Sequence, residues 1–205
     1  MRIRLFLIFL TIYLPFSASS QLISKVVAKV DKTYLTSRDV LITSLISECM
    51  AGRCDPEATA IDTNLRSDIF SNHLSKSIFE RMAYMESLAT FKERPSPPNK
   101  LIRSILRHPI AREYKFEKKE LEILYRIKIL SKKYVNFKDR NLSVFVSERE
   151  ILSFYNDNQD LFQDKSFDQV KKYIQSEIKL AKKGKRVENW INRMQLKYRT
   201  KVFIE

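Results

Sequence analysis

Cys49 and Cys54 are the residues whose type and spacing best suit chemistry, and they are the only two cysteines in the chain. Gly52 lies between them and lets the backbone turn, so in an oxidising compartment the pair suits a local disulfide. Two free thiols, or two of four metal ligands, are the alternatives. A metal site would need further cysteine or histidine ligands, and His73 is the only close candidate. We therefore do not predict a metal site.

The sequence contains no recognisable catalytic constellation. Its two histidines, His73 and His108, fall in separate segments. A Gly-rich phosphate loop, a nucleophile elbow and a metal-ligand cluster are all missing from the sequence. We interpret His73 as a surface or partly packed helix residue. The prediction is a protein without catalytic residues and without a cofactor.

The charge balance favours acidic partners. The formal net charge is +14 at pH 7, which suits nucleic acid, anionic lipid headgroups or acidic polypeptides. The alternative is a solvated surface that only keeps the protein soluble, because the lysines are spread along the chain. The densest basic cluster, residues 179–186, has few aromatic neighbours and no nucleic-acid motif. We therefore predict no nucleic-acid binding.

Residues 1–20 have the layout of a signal peptide. A basic start at residues 1–4 precedes an apolar run at residues 5–16, and small residues lead to a cleavage position after Ser20. The mature chain would begin at Gln21. The apolar run is shorter than the ~20 residues needed to span a bilayer, which disfavours an uncleaved anchor. No later segment is long and apolar enough to insert, so we predict an exported protein without stable membrane insertion.

The chain is predicted to be mainly α-helical with a small antiparallel sheet. Two glycines and 30% charged residues favour helices over a loop-rich β fold. β-Branched residues and a turn at Asp31-Lys32 predict a hairpin over residues 26–35, and Thr36 is a suitable N-cap with Asp39 three residues on. Apolar periodicity then predicts a series of helices. They cover residues 37–46, 62–91, 101–106, 117–134, 148–155 and 167–198.

The last five residues, 201–205, read as a strand. A short terminal strand has no neighbour in sequence to join, and a lone hairpin is marginally stable in water. We therefore predict that residues 202–204 pair with the hairpin at Val26–Val30. The two ends of the mature chain would then close one sheet.

Two stretches of this sequence resemble the SurA-type family of periplasmic chaperones, which extends to parvulin-type foldases. The first comprises Val27, Ala28, Val30, Leu35, Thr36, Asp39 and Val40. The second comprises Val146, Ser147, Glu150, Ile151, Phe154, Tyr155, Asn158 and Phe162. The usual Asn-Gly turn of the family is replaced here by Asp31-Lys32. The parvulin domain that would follow Phe162 is missing, since the next helix cap, Ser166, comes almost at once.

The resemblance implies one SurA-like helical chaperone domain in the periplasm. It would span residues 21–205, with an N-terminal part at 21–92, middle helices at 99–141 and a C-terminal part at 146–205. Its expected partners are unfolded or extended polypeptides, above all outer-membrane protein clients, held in an apolar groove without catalysis. The groove candidates are Phe70, Leu74, Met82, Met85, Tyr125, Phe154 and Tyr155.

Two other functions are compatible with the sequence. One is a structural or assembly subunit that uses the same groove for a single envelope partner. The other is a peptidyl-prolyl isomerase, which rests on family membership alone, because no room exists for the parvulin domain between Phe162 and Ser166.

Export predicts a definite mature N-terminus. Mass spectrometry of the protein expressed with its leader in a Gram-negative host should find cleavage after Ser20 and the first mature residue at Gln21. Mature protein that retained residues 1–16 in the membrane fraction would contradict the prediction.

Overall fold

The structure is a computed structural model that describes residues 24–55, 64–163 and 165–204. The predicted signal peptide at residues 1–20, the mature start at Gln21 and the predicted start of a helix at residue 62 lie outside these ranges. So does the last residue of the predicted terminal strand, Glu205.

The described chain is mainly α-helical with one small antiparallel sheet, which confirms the predicted fold class. The elements in chain order are β1 (Val26–Val30), β2 (Thr33–Thr36), α1 (Ser37–Met50), α2 (Asp68–Thr90), α3 (Asn99–Arg107), α4 (Pro109–Glu113), α5 (Lys118–Asn141), α6 (Glu148–Asp157), α7 (Gln159–Phe162), α8 (Phe167–Lys197) and β3 (Lys201–Val202).

Reciprocal caps fix four of the predicted helix starts, those of α1, α5, α6 and α8. The Thr36 hydroxyl accepts a hydrogen bond from the Asp39 amide at 3.1 Å, and the Asp39 carboxylate accepts from the Thr36 amide at 2.9 Å. Ser147 and Glu150 form the same capping box at the start of α6. Such caps satisfy amides that the first turn leaves without partners. The signals at Thr36 and Ser147 were readable in sequence, and both are confirmed.

Other boundaries differ from the prediction. α2 begins at Asp68, where the Ser67 hydroxyl accepts a hydrogen bond from the Phe70 amide at 3.0 Å. Residues 64–67 were predicted to be helical but are not. α5 continues to Asn141 rather than ending at 134. The short helices α4 and α7 were not predicted, because a turn or two of helix carries too little periodicity to recognise.

The sheet has the strand order β2-β1-β3, so the central strand pairs with both a neighbour in sequence and the far end of the chain. Ala28 lies opposite Val202 and Lys29 opposite Lys201, both antiparallel. The Phe203 amide donates to the Val27 carbonyl at 2.9 Å. The predicted closure of the sheet by the two chain ends is therefore confirmed, although the regular part of β3 is only two residues long.

Buried apolar side chains form three clusters. Cluster 1 joins the sheet, α2 and the C-terminal part of α8. Cluster 2 joins α1, α3, α4 and α5. Cluster 3 joins α6, α7 and the N-terminal part of α8. Helix α8, with 31 residues and a length of about 46 Å, therefore contributes to two clusters at its opposite ends.

Polar contacts hold α8 and β3 against the helical body. The Glu86 carboxylate on α2 accepts hydrogen bonds from the hydroxyls of Tyr198 at 2.7 Å and Tyr134 at 3.2 Å, and from the Lys197 ammonium. Burial alone would raise the pKa of Glu86, but the bonds from Lys197 and Tyr198 outweigh it, so the pKa lies below its usual range. Glu86 thus links α2, α5 and the C-terminus of α8.

A buried ion pair crosses the interface between α2 and α5. Lys128 Nζ lies 2.7 Å from Glu80 Oε1, and each side chain is nearly nine-tenths buried. Burial lowers the pKa of Lys128, and the nearby Glu80 carboxylate partly offsets this effect. Removing one partner of such a pair leaves the other charge buried without compensation.

We predict that Lys128→Met lowers the free energy of unfolding by about 3 kcal/mol, because Glu80 is then stranded. The double variant Glu80→Met/Lys128→Met should recover most of this loss, since an apolar pair of similar volume needs no desolvation. Urea denaturation of both variants is the measurement. A double variant as unstable as the single one would contradict the role assigned to the pair.

Deleting residues 201–205 should expose the edge of β1 and remove the hydrogen bonds to Val27 and Lys29. The expected loss is about 2 kcal/mol, which lowers the melting temperature by roughly 5 °C for a chain of this size. Differential scanning calorimetry measures it. A truncated chain that melts like the full-length protein would mean that β3 does not stabilise the sheet.

Candidate functional site

Four of the seven predicted groove residues belong to cluster 1 rather than to an open surface. Phe70, Leu74 and Met82 are only 1%, 3% and 1% exposed. They face the sheet and the C-terminal part of α8, and Met85 packs partly buried against the same cluster. The apolar stripe of α2 is therefore covered by the chain's own C-terminus, which the periodicity of α2 alone does not reveal.

The other three predicted residues lie in other clusters. Tyr125 packs against cluster 2, whereas Phe154 and Tyr155 pack against cluster 3. The seven residues thus fall in three separate clusters of the described chain. Of the seven, Phe154 lines a cavity beside α7, Met82 lines one beside α8 and β3, and Leu74 lines the cavity that adjoins it.

An open groove of the described chain lies between α7 and α8, in the lobe formed by α6, α7 and the N-terminal part of α8. We call it the lobe groove. It encloses about 960 Å³. Its lining residues are Phe154, Leu161, Phe162, Lys165, Gln169, Val170, Tyr173 and Glu177.

Stacked aromatic rings form the wall behind the lobe groove. Tyr155 stacks on Phe162 with ring centroids 5.7 Å apart and meets the edge of Phe167 at 5.5 Å. The Tyr155 hydroxyl donates to the Lys165 carbonyl at 2.9 Å, which fixes the turn between α7 and α8. Gln163 takes a positive φ of 47° in that turn, which lets the chain reverse between the two helices. These contacts hold Leu161 and Phe162 at the groove.

The lobe groove exposes large apolar side chains. Leu161 is 72% exposed and Tyr173 is 59% exposed. Leu180 lies two turns beyond Tyr173 on the same side of α8 and is 66% exposed. A row of exposed apolar residues beside a groove is the usual mark of a binding surface.

Two ion pairs connect α6 to α8 across the lobe. Glu148 pairs with Lys171, and Glu150 pairs with Lys182. The hydrogen bond from Lys182, with further bonds from Ser147, lowers the pKa of Glu150 to about 2. Lys182 also donates to the Phe145 carbonyl at 3.1 Å. Glu150 is therefore ionised at neutral pH and holds the start of α6 in place. The groove itself is lined by one basic residue, Lys165, and one acidic residue, Glu177.

The sequence did not predict most of this site. Leu161, Val170 and Tyr173 were not among the groove candidates, most of which lie on α2, the helix with the strongest apolar stripe. The sequence feature that could have indicated the site is the pair of apolar residues Leu161 and Phe162 in the short segment between α6 and α8. So short a segment can bury few of its own side chains.

The cysteines and histidines have structural positions. Cys49 and Cys54 form a disulfide that closes the turn after α1. His108 is buried, and its Nδ1 accepts a hydrogen bond from the Ile110 amide at the start of α4. Burial lowers the pKa of His108, which keeps the imidazole neutral. Neither feature forms a nucleophile or an acid-base pair.

Within residues 24–55, 64–163 and 165–204, no group of three or more Asp, Glu, His or Cys side chains is arranged to hold a metal ion. In the same part of the chain, no helix combines the length and apolar composition that crossing a bilayer requires. Compared with known proteins, the chain matches no protein-family model, no curated protein and no solved structure.

Proposed function

We propose that this protein is an exported, chaperone-like binding protein that holds unfolded or extended segments of envelope polypeptides in the lobe groove, without catalysis. The observation that carries the proposal is the exposure of Leu161 and Tyr173 at the mouth of an open apolar groove. Apolar residues at the surface reduce the solubility of a folded protein. A binding role explains why these two remain exposed.

The dimensions of the groove suit a short segment rather than a folded domain. A groove of about 960 Å³ accommodates a few side chains. Each apolar side chain that leaves water there contributes roughly 1.5–3 kcal/mol before the cost of ordering the segment. The net affinity expected for such contacts is on the order of micromolar, which allows a client to be released without an energy source.

Two further observations support an unfolded client. The net charge of +14 speeds encounter with acidic polypeptides. The stretch from Val146 to Phe162, on which the resemblance to SurA-type chaperones rests, falls on the lobe that carries the groove. The leader-like residues 1–20 support a periplasmic location, where outer-membrane proteins pass as unfolded chains.

The proposal is tested with Leu161→Ser/Tyr173→Ser. Both side chains are mostly exposed, so the variant should keep the melting temperature of the wild type. It should suppress the aggregation of several unrelated unfolded polypeptides about tenfold less well, because two apolar contacts are lost. The matched control is Ile69→Ser/Ile123→Ser, which removes two exposed apolar residues outside the groove and should behave as wild type.

Undiminished suppression by the groove variant would overturn the lobe groove as the binding site. Wild-type protein that protected one envelope polypeptide and ignored all others would contradict a chaperone role and indicate an assembly subunit with a fixed partner.

A further inference from the structure

Strand β3 forms one edge of the sheet, and among the described residues no strand pairs with its other side. Opposite residues in an antiparallel pair alternate between hydrogen-bonded and non-hydrogen-bonded pairs. The bond from the Phe203 amide to the Val27 carbonyl makes those two a hydrogen-bonded pair. The next pair, Ala28 and Val202, is therefore a non-hydrogen-bonded pair. The N–H and C=O of Val202 consequently point away from β1, toward the open edge.

The open edge of β3 borders a trough along α2. Two adjoining cavities of about 790 and 480 Å³ share Ser75, Ile78 and Val202 as lining residues. The larger one continues along α8 to Leu196, and the smaller one continues past Ile204. Val202 is 54% exposed, so the edge is accessible from the trough. We call this feature the edge trough.

We propose that the edge trough binds an extended segment of a client polypeptide by strand addition, so that the segment becomes a fourth strand of the sheet. This inference rests on the proposed function and adds a second contact to it, in which the protein hydrogen-bonds to the client backbone. The outward N–H and C=O of Val202 hydrogen-bond with the client backbone. The side chains of Ile78 and Leu196 contact the client side chains that face the trough. Backbone pairing gives affinity without selecting a sequence, which suits many clients.

The charges around the edge trough define the preferred segment. Arg66 lines the smaller cavity, and Arg199 and Lys201 are exposed at the start of β3; among the described residues that line the two cavities, Asp68 is the only carboxylate. A segment with alternating apolar residues and acidic residues at its ends therefore fits best, because alternate side chains of a strand face the same way.

A second copy of the chain fits the edge less well. Both copies would carry the same net charge of +14, so bringing two β3 edges together is opposed by repulsion between like-charged chains. Lysine on an edge strand is a common protection against such self-pairing. The same lysine attracts an acidic client, so the charge selects the client over another copy.

The test uses a short synthetic peptide of alternating valine and threonine with a glutamate at each end. Val202→Pro removes the outward amide but not a bond to β1, and proline is tolerated on an edge strand in this orientation. We expect it to bind the peptide about tenfold more weakly than wild type. The matched control, Val202→Thr, keeps the amide and the β-branched shape and should bind as wild type. Circular dichroism melting checks that both variants fold.

A second measurement covers the case in which Val202→Pro does not fold. Amide exchange of the wild-type protein, followed by NMR, should show that the peptide slows exchange at Val202. A peptide of the same sequence that is N-methylated at every residue should fail to do so, because it has no backbone donors on either edge.

The outcomes separate the two proposals. Equal peptide binding by Val202→Pro and wild type, or unchanged exchange at Val202, would overturn strand addition while leaving the lobe groove standing. Concentration-dependent dimers with a protected Val202 amide in the absence of peptide would overturn it in favour of a second copy. Failure of the wild-type protein to bind any unfolded polypeptide would overturn the proposed function, and strand addition with it.

Discussion

The central strand of the sheet is the constraint on which the rest of the structure depends. The backbone of β1 is hydrogen-bonded on one side to β2, its neighbour in sequence, and on the other side to β3, at the opposite end of the described chain. A buried strand must satisfy both sets of backbone groups. Helix α8 therefore has to end where the sheet begins, and cluster 1 forms from the sheet, α2 and the end of α8.

The return of α8 to the sheet separates two kinds of apolar surface. Its C-terminal part covers the stripe of α2, with Phe79 and Trp190 in an edge-to-face contact at 5.8 Å. Its N-terminal part packs against the short helices α6 and α7 and against Val146, which precedes them. Two short helices cannot bury a whole face of a long one, so Tyr173 and Leu180 stay exposed. The lobe groove is a consequence of that unequal cover.

The two proposed contact surfaces would recognise different parts of an unfolded chain, its apolar side chains and its backbone. In these proposals the lobe groove would bind apolar side chains through Leu161 and Tyr173, whereas the edge trough would bind the client backbone through Val202. Each surface alone would give weak binding. Two weak sites on one molecule can together retain a long, flexible client more strongly than either alone, because the second contact is intramolecular. Such a mode of binding requires neither a cofactor nor a catalytic residue.

The sequence by itself determined the local structure wherever a short-range signal was present. The turn at Asp31-Lys32, the caps at Thr36 and Ser147, and the apolar periods of α5 and α8 predicted the hairpin, the helices and the mainly α-helical fold, because capping and periodicity act within a few residues. The unsatisfied edge of the hairpin even predicted the pairing with β3. Only the tertiary structure decided which apolar faces are covered. Phe70 and Met82 were predicted to line an open groove but are buried in cluster 1, whereas Leu161 and Tyr173 were not predicted and are exposed. Burial depends on contacts between residues distant in the chain, which local sequence signals do not contain.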